Sequence, residues 1–283
     1  MAAKTLMIQG TASAVGKSIV VTALCRIFKQ DGLRVAPFKS QNMTRNTFVT
    51  KNGEEMGLAQ VVQAEAAGLE PSVDMNPILL KPEANSRSQV VVLGKPAMTL
   101  TAGEYGRHTH ELLPVVAEAL ARLRSAYDIV VIEGAGNPAE INIKENEIVN
   151  MHIAKLAEAP VLLVGDIDKG GVFASLVGTL ALLDESERNY IKGFIINKFR
   201  GDIALLQPGL DFLEEYTSRP VIGVVPYYHN IPIPEEDAAG EGKGLSLPPK
   251  QPLANEQQYD ELADLVRHSL NLKLVYKICG LEI

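Results

Sequence analysis

Short runs of consecutive apolar residues alternate along the chain with longer segments in which apolar positions recur at helical spacing. The apolar runs are rich in β-branched residues and occupy residues 5–10, 34–39, 128–136, 159–168, 191–199 and 220–227. The helical segments between them occupy residues 17–32, 54–68, 109–126, 147–159 and 172–183. Strands that are apolar on both faces are typical of a parallel sheet covered by helices on both sides. The pattern therefore predicts an α/β fold with a doubly wound, mostly parallel sheet, in which ligands bind at the carboxyl ends of the strands.

Two stretches interrupt this alternation and suggest how the chain is divided. Residues 71–98 hold several prolines and two short strand-like runs, which predicts an insertion that carries a hairpin or loops. Residues 240–252 are rich in glycine and proline, as linkers are. Residues 256–278 have the apolar spacing of an amphipathic helix. We therefore predict a main domain over residues 1–239, a linker over 240–252 and a helical tail over 253–283.

Composition excludes several classes of protein. No apolar run reaches the roughly 18 to 20 residues needed to span a bilayer, and the first ten residues lack the features of a signal peptide. The two cysteines form neither a metal-ligand spacing nor a disulfide framework, so we expect a cytoplasmic protein. A net charge of −7 without a block of Lys and Arg argues against nucleic-acid binding.

A glycine-rich stretch follows the first predicted strand and leads into a helix that begins at Gly-Lys-Ser. This is the context of a phosphate-binding loop, in which backbone amides and the helix N-terminus contact phosphates. Lys17 is then expected at the β- and γ-phosphates of ATP and Ser18 at Mg²⁺. Five residues separate Gly10 from Gly16, where the common pattern has four. The alternative is a glycine-rich turn that binds nothing. The predicted nucleotide-binding residues are Gly10, Thr11, Ala12, Ser13, Ala14, Val15, Gly16, Lys17, Ser18 and Ile19.

Polar residues at other strand ends are further candidates. Glu133 ends an apolar strand that the fold places beside the loop, which makes it a candidate magnesium ligand; the alternative is a solvated carboxylate. Asp166 and Lys169 end another strand and precede a Gly-Gly pair, as in segments that sense the γ-phosphate. Asn197 and Lys198 end the strand FIIN and are similar to the Asn-Lys pair with which P-loop proteins bind the nucleotide base.

Long segments, in order, resemble the cobyric acid synthase family. The loop GTASAVGKS is similar to that of dethiobiotin synthetase and the related corrinoid amidases, where the longer glycine spacing is normal. The similarity continues through RVAPFKSQNMTRNTFVT, GLAQVVQAEAAGLEPSVDMNPILLKP, VVIEGAGNPAEIN, VGDIDKGGVFASLVGTL, INKFRGD and IPEEDA, and covers about residues 6–238. The resemblance implies a P-loop NTPase of the dethiobiotin synthetase-like type.

This resemblance also implies a reaction and its residues. Members of the family use ATP and Mg²⁺ to amidate carboxylates of adenosylcobyrinic acid a,c-diamide through an acyl phosphate, in cobalamin biosynthesis, with ammonia derived from glutamine. Lys39 matches a lysine near the transferred phosphate. Glu55 or Glu65, expected in an apolar helix, is implied as a second metal ligand. Polar residues after Lys39 are implied to bind the propionate or acetamide groups of the corrinoid: Gln41, Asn42 and Asn46.

The sequence departs from the family in two places. Ser13-Ala14 replaces a pair that usually includes an aspartate, so one carboxylate of the loop is missing. The glutaminase domain of the glutamine amidotransferase is also missing, so we expect ammonia from solution or from a separate glutaminase. Cys279-Gly280 superficially resembles the elbow of a glutaminase nucleophile, but no histidine follows it. The tail resembles the segment that follows the glutaminase domain in longer members.

Two alternatives share the loop and the fold. One is a dethiobiotin synthetase-like ligase; the other is a partitioning or regulatory ATPase, which usually has a membrane-binding tail or a basic DNA-binding surface. The acidic final segment supports neither feature of the second alternative. The oligomeric state stays open, with a homodimer as one alternative.

Overall fold

The computed structural model describes residues 2–228, 246–247 and 253–282. Its strands are β1 (Lys4–Gly10), β2 (Val35–Phe38), β3 (Gln41–Met43), β4 (Thr47–Val49), β5 (Glu55–Gly57), β6 (Ile78–Pro82), β7 (Arg87–Val92), β8 (Lys95–Thr101), β9 (Ile129–Glu133), β10 (Val161–Asp166), β11 (Ile191–Phe199), β12 (Val221–Pro226) and β13 (Ser246–Leu247). Its helices are α1 (Lys17–Gln30), α2 (Leu58–Ala66), α3 (Ala102–Ala126), α4 (Met151–Ala157), α5 (Val172–Leu182), α6 (Glu185–Arg188), α7 (Ile203–Thr217), α8 (Glu256–Ser269) and α9 (Leu272–Cys279).

The central sheet has six strands in the order β12-β11-β10-β1-β9-β2, and every pairing in it is parallel. Alternate residues of β9 pack into two separate cores. Val130 and Ile132 face helices α3, α4 and α5, whereas Ile129 and Val131 face α1, α8 and α9. Apolar residues on both faces of each strand are therefore buried, which confirms the predicted doubly wound α/β fold. The carboxyl ends of all six strands lie at one edge of the sheet.

The insertion predicted over residues 71–98 contains a hairpin, as expected. Strands β6, β7 and β8 are successive antiparallel neighbours, and β3 pairs with β6 to complete a four-stranded sheet. The predicted helix over 54–68 is wrong at its start, because Glu55–Gly57 is strand β5, antiparallel to β4. Helix α3 begins at Ala102, seven residues before its predicted start at 109. Thr101 and Glu104 form a capping box that fixes this earlier start.

The C-terminal segment packs into the same core as α1. The Arg26 guanidinium binds Asp260 at 2.7 Å and Glu256 at 2.8 Å. The predicted single helix over 256–278 is two helices, because Asn271 caps a new helix by accepting a hydrogen bond from the Leu274 amide. The predicted linker 240–252 lies outside the described residues, apart from 246–247, as does the IPEEDA segment, whose PEED occupies 234–237. In the part of the chain that is described, no helix is both long and apolar enough to cross a bilayer.

Candidate active site

The phosphate-binding loop connects β1 to α1 and closes against its neighbours. Gly16 has a φ of 96°, a left-handed conformation that favours glycine, and a Cβ there would lie 2.0 Å from Asn197 Nδ2. At the other end of the loop, the Thr11 amide donates to Val164 O at 2.9 Å and Asn137 Nδ2 donates to Thr11 O at 2.8 Å. The path of the loop is therefore fixed from three neighbouring strand ends. Asn137 was not predicted, although it follows the glycines after β9.

Asn197 and Lys198 hold the loop by hydrogen bonds to its carbonyls. Asn197 Nδ2 donates to Val15 O at 2.9 Å, and Lys198 Nζ donates to Ala14 O at 2.7 Å. Asn197 is only 2% exposed, so its amide supports the loop from below. The geometry therefore gives no support to base recognition by this pair, and we infer a positioning role for both residues.

Replacing Asn197 with alanine tests this positioning role. The change removes the hydrogen bond to Val15 O and leaves a small cavity under Gly16. We expect ATP to bind about tenfold more weakly, since a buried hydrogen bond of this kind contributes about 1 to 1.5 kcal/mol. Titration with a fluorescent ATP analogue measures this. The exposed Asn52, replaced in the same way, serves as the control; equal affinity of both variants contradicts the positioning role.

Glu133 lies at the centre of a buried polar cluster. Its Oε1 accepts hydrogen bonds from Ser18 Oγ at 2.9 Å and Lys39 Nζ at 3.0 Å, and its Oε2 accepts one from Gln63 Nε2. Glu133 and Gln63 are fully buried, and Lys39 is 1% exposed. The cluster joins the ends of β9 and β2 to the first turn of α1 and to α2. A solvated carboxylate, the alternative for Glu133, is therefore wrong.

Two predicted cations, Lys17 and Lys39, lie at the same edge of the sheet as Glu133. Lys17, 2% exposed, donates from Nζ to Ala12 O at 3.1 Å within the loop. Lys39 pairs with the same Glu133 oxygen that accepts from Ser18. Burial and the Glu133 charge also raise the pKa of the neighbouring Cys25 thiol, which keeps that side chain neutral. The surroundings of Ser18 thus combine backbone donors, the ammonium groups of Lys17 and Lys39 and the Glu133 carboxylate, a set suited to phosphoryl transfer.

Ser18 and Glu133 also fit a magnesium site. Mg²⁺ prefers hard oxygen ligands and usually takes one or two from the protein, with phosphate and water oxygens as the rest. The serine hydroxyl and the carboxylate provide such a pair. Across the described residues, no three His, Cys, Asp or Glu side chains gather into a larger metal site. The chemistry of the donors therefore matches magnesium bound together with a nucleotide.

The other predicted metal ligands have different partners. Glu55 binds Lys81 at 2.7 Å and accepts from Thr47 Oγ1 at 2.7 Å. Glu65 accepts from Tyr259 Oη at 2.7 Å, and burial raises the pKa of its carboxyl. Both carboxylates are used within the fold. The prediction that either joins the metal therefore finds no support in this geometry.

The predicted substrate residues occupy three different settings. Gln41 lies on the wall of a large cavity and accepts a hydrogen bond from Tyr105 Oη. Asn42 is 3% exposed and donates to Gln60 Oε1 at 2.9 Å, so it fastens β3 to α2. The backbone of Asn46 accepts from the Leu58 amide at 3.1 Å. Substrate binding is therefore consistent with the position of Gln41, whereas Asn42 is an internal structural residue.

The end of β10 carries the predicted sensor segment. Asp166 is buried; it pairs with Lys198 at 3.2 Å and accepts from the Asp168 amide at 2.9 Å. Lys169 is exposed on the turn before α5. Asp166 therefore supports the phosphate loop through Lys198, whereas Lys169 is exposed at the same edge of the sheet.

Cys279 is a buried residue at the end of α9. It is 5% exposed, and burial raises the pKa of its thiol to about 12. Gly280, the next residue, ends the helix in a left-handed conformation. A neutral, buried thiol is a poor nucleophile. The geometry agrees with a structural role.

A parallel sheet whose first strand enters a glycine loop and a Lys-Ser helix start, with a strand-end carboxylate on that serine, defines a P-loop nucleotide-binding domain. The model of the CobQ/CobB/MinD/ParA nucleotide binding domain family matches residues 6–238, so the chain belongs to this family.

Individual relatives show which members of this family the chain is similar to. The chain is 66% identical to a cobyric acid synthase of Dehalococcoides mccartyi over 236 residues, which is 83% of this chain and 47% of that protein. It is 60% identical to a cobyric acid synthase of Sorangium cellulosum over 249 residues, which is 88% of this chain and 48% of that protein. The chain thus spans about half the length of the curated relatives that it matches.

Proposed function

We propose that this domain uses ATP to activate carboxylates of a corrinoid, cobyrinic acid a,c-diamide or its adenosylated form, for amidation in cobalamin biosynthesis. The observation that carries the proposal is the buried cluster of Ser18, Lys39, Gln63 and Glu133 beside the phosphate loop. The high identity to cobyric acid synthases supports the corrinoid over the substrates of dethiobiotin synthetase or a partitioning ATPase. The cytoplasm, where ATP is available, is the compartment we propose.

The reaction needs activation because the oxygen of a carboxylate is a poor leaving group. A carboxylate oxygen of the substrate attacks the γ-phosphorus of ATP, and the bond between that phosphorus and the oxygen that bridges it to the β-phosphate breaks. ADP departs, and the substrate is left as an acyl phosphate. Ammonia then attacks the acyl carbon, phosphate leaves, and the nitrogen loses a proton to give the amide. The first step is catalysed mainly by positioning and charge neutralisation.

Each residue of the cluster has a part in this scheme. Lys17 and the loop amides bind the β- and γ-phosphates, and Lys39 neutralises charge on the transferred group. Ser18 and Glu133 hold Mg²⁺, which supplies further neutralisation of phosphate charge when bound. Gln63 fixes the second oxygen of Glu133 and so sets the orientation of that carboxylate. We place Asp166 and Lys198 behind the loop, as its support.

The source of nitrogen gives a direct test. We expect the chain, incubated with ATP, Mg²⁺ and cobyrinic acid a,c-diamide, to form amidated product with ammonium, because the acyl phosphate reacts with free ammonia. With glutamine alone we expect no product, because Cys25 and Cys279 are both buried and a buried thiol is a poor nucleophile for the hydrolysis of glutamine. Mass spectrometry of the corrinoid and release of ADP measure the two outcomes. Product from glutamine alone contradicts the second expectation, and ADP release without amidation contradicts the proposed reaction.

A further inference from the structure

A large cavity lies beside the phosphoryl-transfer site, between the four-stranded sheet and the start of α3. It has a volume of about 640 Å³, within the ~300–1,000 Å³ typical of sites for small molecules and cofactors. Strands β3, β6, β7 and β8 form one wall, the first turns of α3 form a second, and residues 142–149 form a third. The insertion into the nucleotide-binding fold thus contributes to one of the three walls of this cavity.

The walls of the cavity are mainly apolar. The buried Leu80 and Val90 and the half-buried Leu100 line it. At its mouth, Met43 and Ile143 are 44% and 51% exposed. Large apolar side chains that remain exposed along a concave surface favour a ligand with an extended apolar face. A sugar or a free amino acid does not have such a face.

Two arginines give the rim a positive side. Arg87 on β7 and Arg107 on α3 are both exposed and line the cavity. Of the acidic residues nearby, Glu147 is already bound to the backbone amides of Val149 and His152 at 2.7 and 2.9 Å. Glu104 is held in the capping box at the start of α3, where hydrogen bonds from the Thr101 amide and hydroxyl, and to a smaller extent the charges of both arginines, lower the pKa of its carboxyl.

Glu83 is a further exposed acidic residue of the lining. It lies before the turn that joins β6 to β7, and its amide donates to Arg87 O at 2.8 Å. The rim therefore has guanidinium groups from two different elements, and arginine is well suited to bind carboxylates through paired hydrogen bonds.

The cavity lies close to the cluster around Glu133 along the chain. Gln41 on its wall is two residues from Lys39, a separation of at most about 7 Å along the backbone. Ser40 lies between them and donates from Oγ to Ile148 O at 2.6 Å, which ties the third wall of the cavity to the end of β2. The Gln41 end of the cavity is therefore the part of its lining that follows most directly from Lys39.

We propose that this cavity binds the corrin ring of the substrate. The apolar walls contact the ring and its methyl groups, and Arg87 and Arg107 hold carboxylates at the outer edge. Gln41 and Tyr105 contact another carboxylate of the substrate, at the end of the cavity that is nearest to Lys39 along the chain. This assignment rests on the proposed function, because it takes the substrate to be a corrinoid that carries carboxylates.

Binding measurements with two corrinoids test the charged rim. We expect Arg107→Glu to bind cobyrinic acid a,c-diamide at least about tenfold more weakly in equilibrium dialysis, since a hydrogen bond to a charged group is lost and repulsion replaces it. The control is Lys273→Glu, an equal charge change at an exposed site on α9. For cobinamide, whose ring-edge carboxylates are already amidated, we expect Arg107→Glu to bind within about twofold of the unaltered protein.

A second pair of variants tests the apolar wall. We expect Ile143→Asn to weaken both corrinoids, because it removes apolar contact with the ring, while Leu205→Asn on α7, 84% exposed, changes neither. Binding of a fluorescent ATP analogue reports that each variant is folded. If the unaltered protein binds the nucleotide but neither corrinoid, the proposed function fails together with this assignment. If it binds them and the Arg107 and Ile143 variants bind as tightly, the cavity assignment alone is overturned.

Discussion

Replacing Lys17 with alanine is expected to lower the rate of phosphoryl transfer by roughly 10³-fold, the size of effect seen when one preorganised cationic or hydrogen-bonding group is removed from a transition state. Its ammonium is buried and held within the loop by Ala12 O, so it is positioned before the nucleotide arrives. Phosphoryl transfer depends on positioning and charge neutralisation more than on a protein nucleophile, so the loss of the Lys17 charge lowers the rate directly. ADP release in the presence of Mg²⁺, corrinoid and ammonium measures it.

The matched control is Lys192→Ala, which removes an exposed lysine of β11 far along the same sheet from the loop. We expect this variant to keep the normal rate. Circular dichroism and thermal unfolding show whether the Lys17 variant retains the fold, since the six-stranded sheet does not depend on this side chain. Normal turnover in a folded Lys17→Ala protein would remove the loop from the mechanism.

The central sheet and the phosphate loop could be predicted because their sequence signals are local. Residues 129–132 are apolar at every position, which marks a strand buried on both faces without knowledge of its neighbours. Gly16 and the Lys-Ser pair likewise need only the strand before them and the helix after them. The same apolar pattern predicts where β9 ends, and it therefore places Glu133 at the end of that strand.

The contacts among the site residues could not be predicted in the same way, because they join distant parts of the chain. Gln63 meets Glu133 from 70 residues away. A polar residue in the apolar stretch of α2 was the available signal. Asn42 and Asn197 suggested ligand binding, since amides at strand ends often bind ligands, but their amides pair with a glutamine side chain and a loop carbonyl inside the fold.

Short elements were missed for a related reason. Glu55 stands in a strand of three residues whose existence depends on pairing with β4, and such a segment shows no periodicity of its own. The break between α8 and α9 depends on one cap at Asn271, which the apolar spacing of the surrounding residues conceals. Local patterns are reliable where burial is continuous and uninformative where a single nonlocal contact decides the conformation.

Replacing Lys39 with methionine is expected to affect both stability and catalysis. Lys39 and Glu133 form an ion pair in which both side chains are almost fully buried, and removal of one partner leaves a charge in a poorly solvated site. We expect the free energy of unfolding to fall by about 2 to 4 kcal/mol, somewhat moderated by the hydrogen bonds from Ser18 and Gln63. We expect phosphoryl transfer to slow by roughly 10² to 10³-fold, because the charge at the end of β2 is lost. Urea unfolding and ADP release measure the two effects.

The double variant Lys39→Met with Glu133→Gln separates these effects. Glutamine keeps an oxygen that accepts from Ser18 but carries no charge, so the methionine no longer faces a buried carboxylate. We therefore expect the double variant to be more stable than Lys39→Met alone, with a coupling energy of about 1 to 3 kcal/mol in the double-mutant cycle. Its catalytic rate should stay low, since the double variant has neither the Lys39 ammonium nor the Glu133 carboxylate. Additive losses of stability would show that the pair does not interact as the geometry indicates, and recovery of the rate would show that Lys39 acts only by balancing the charge of Glu133.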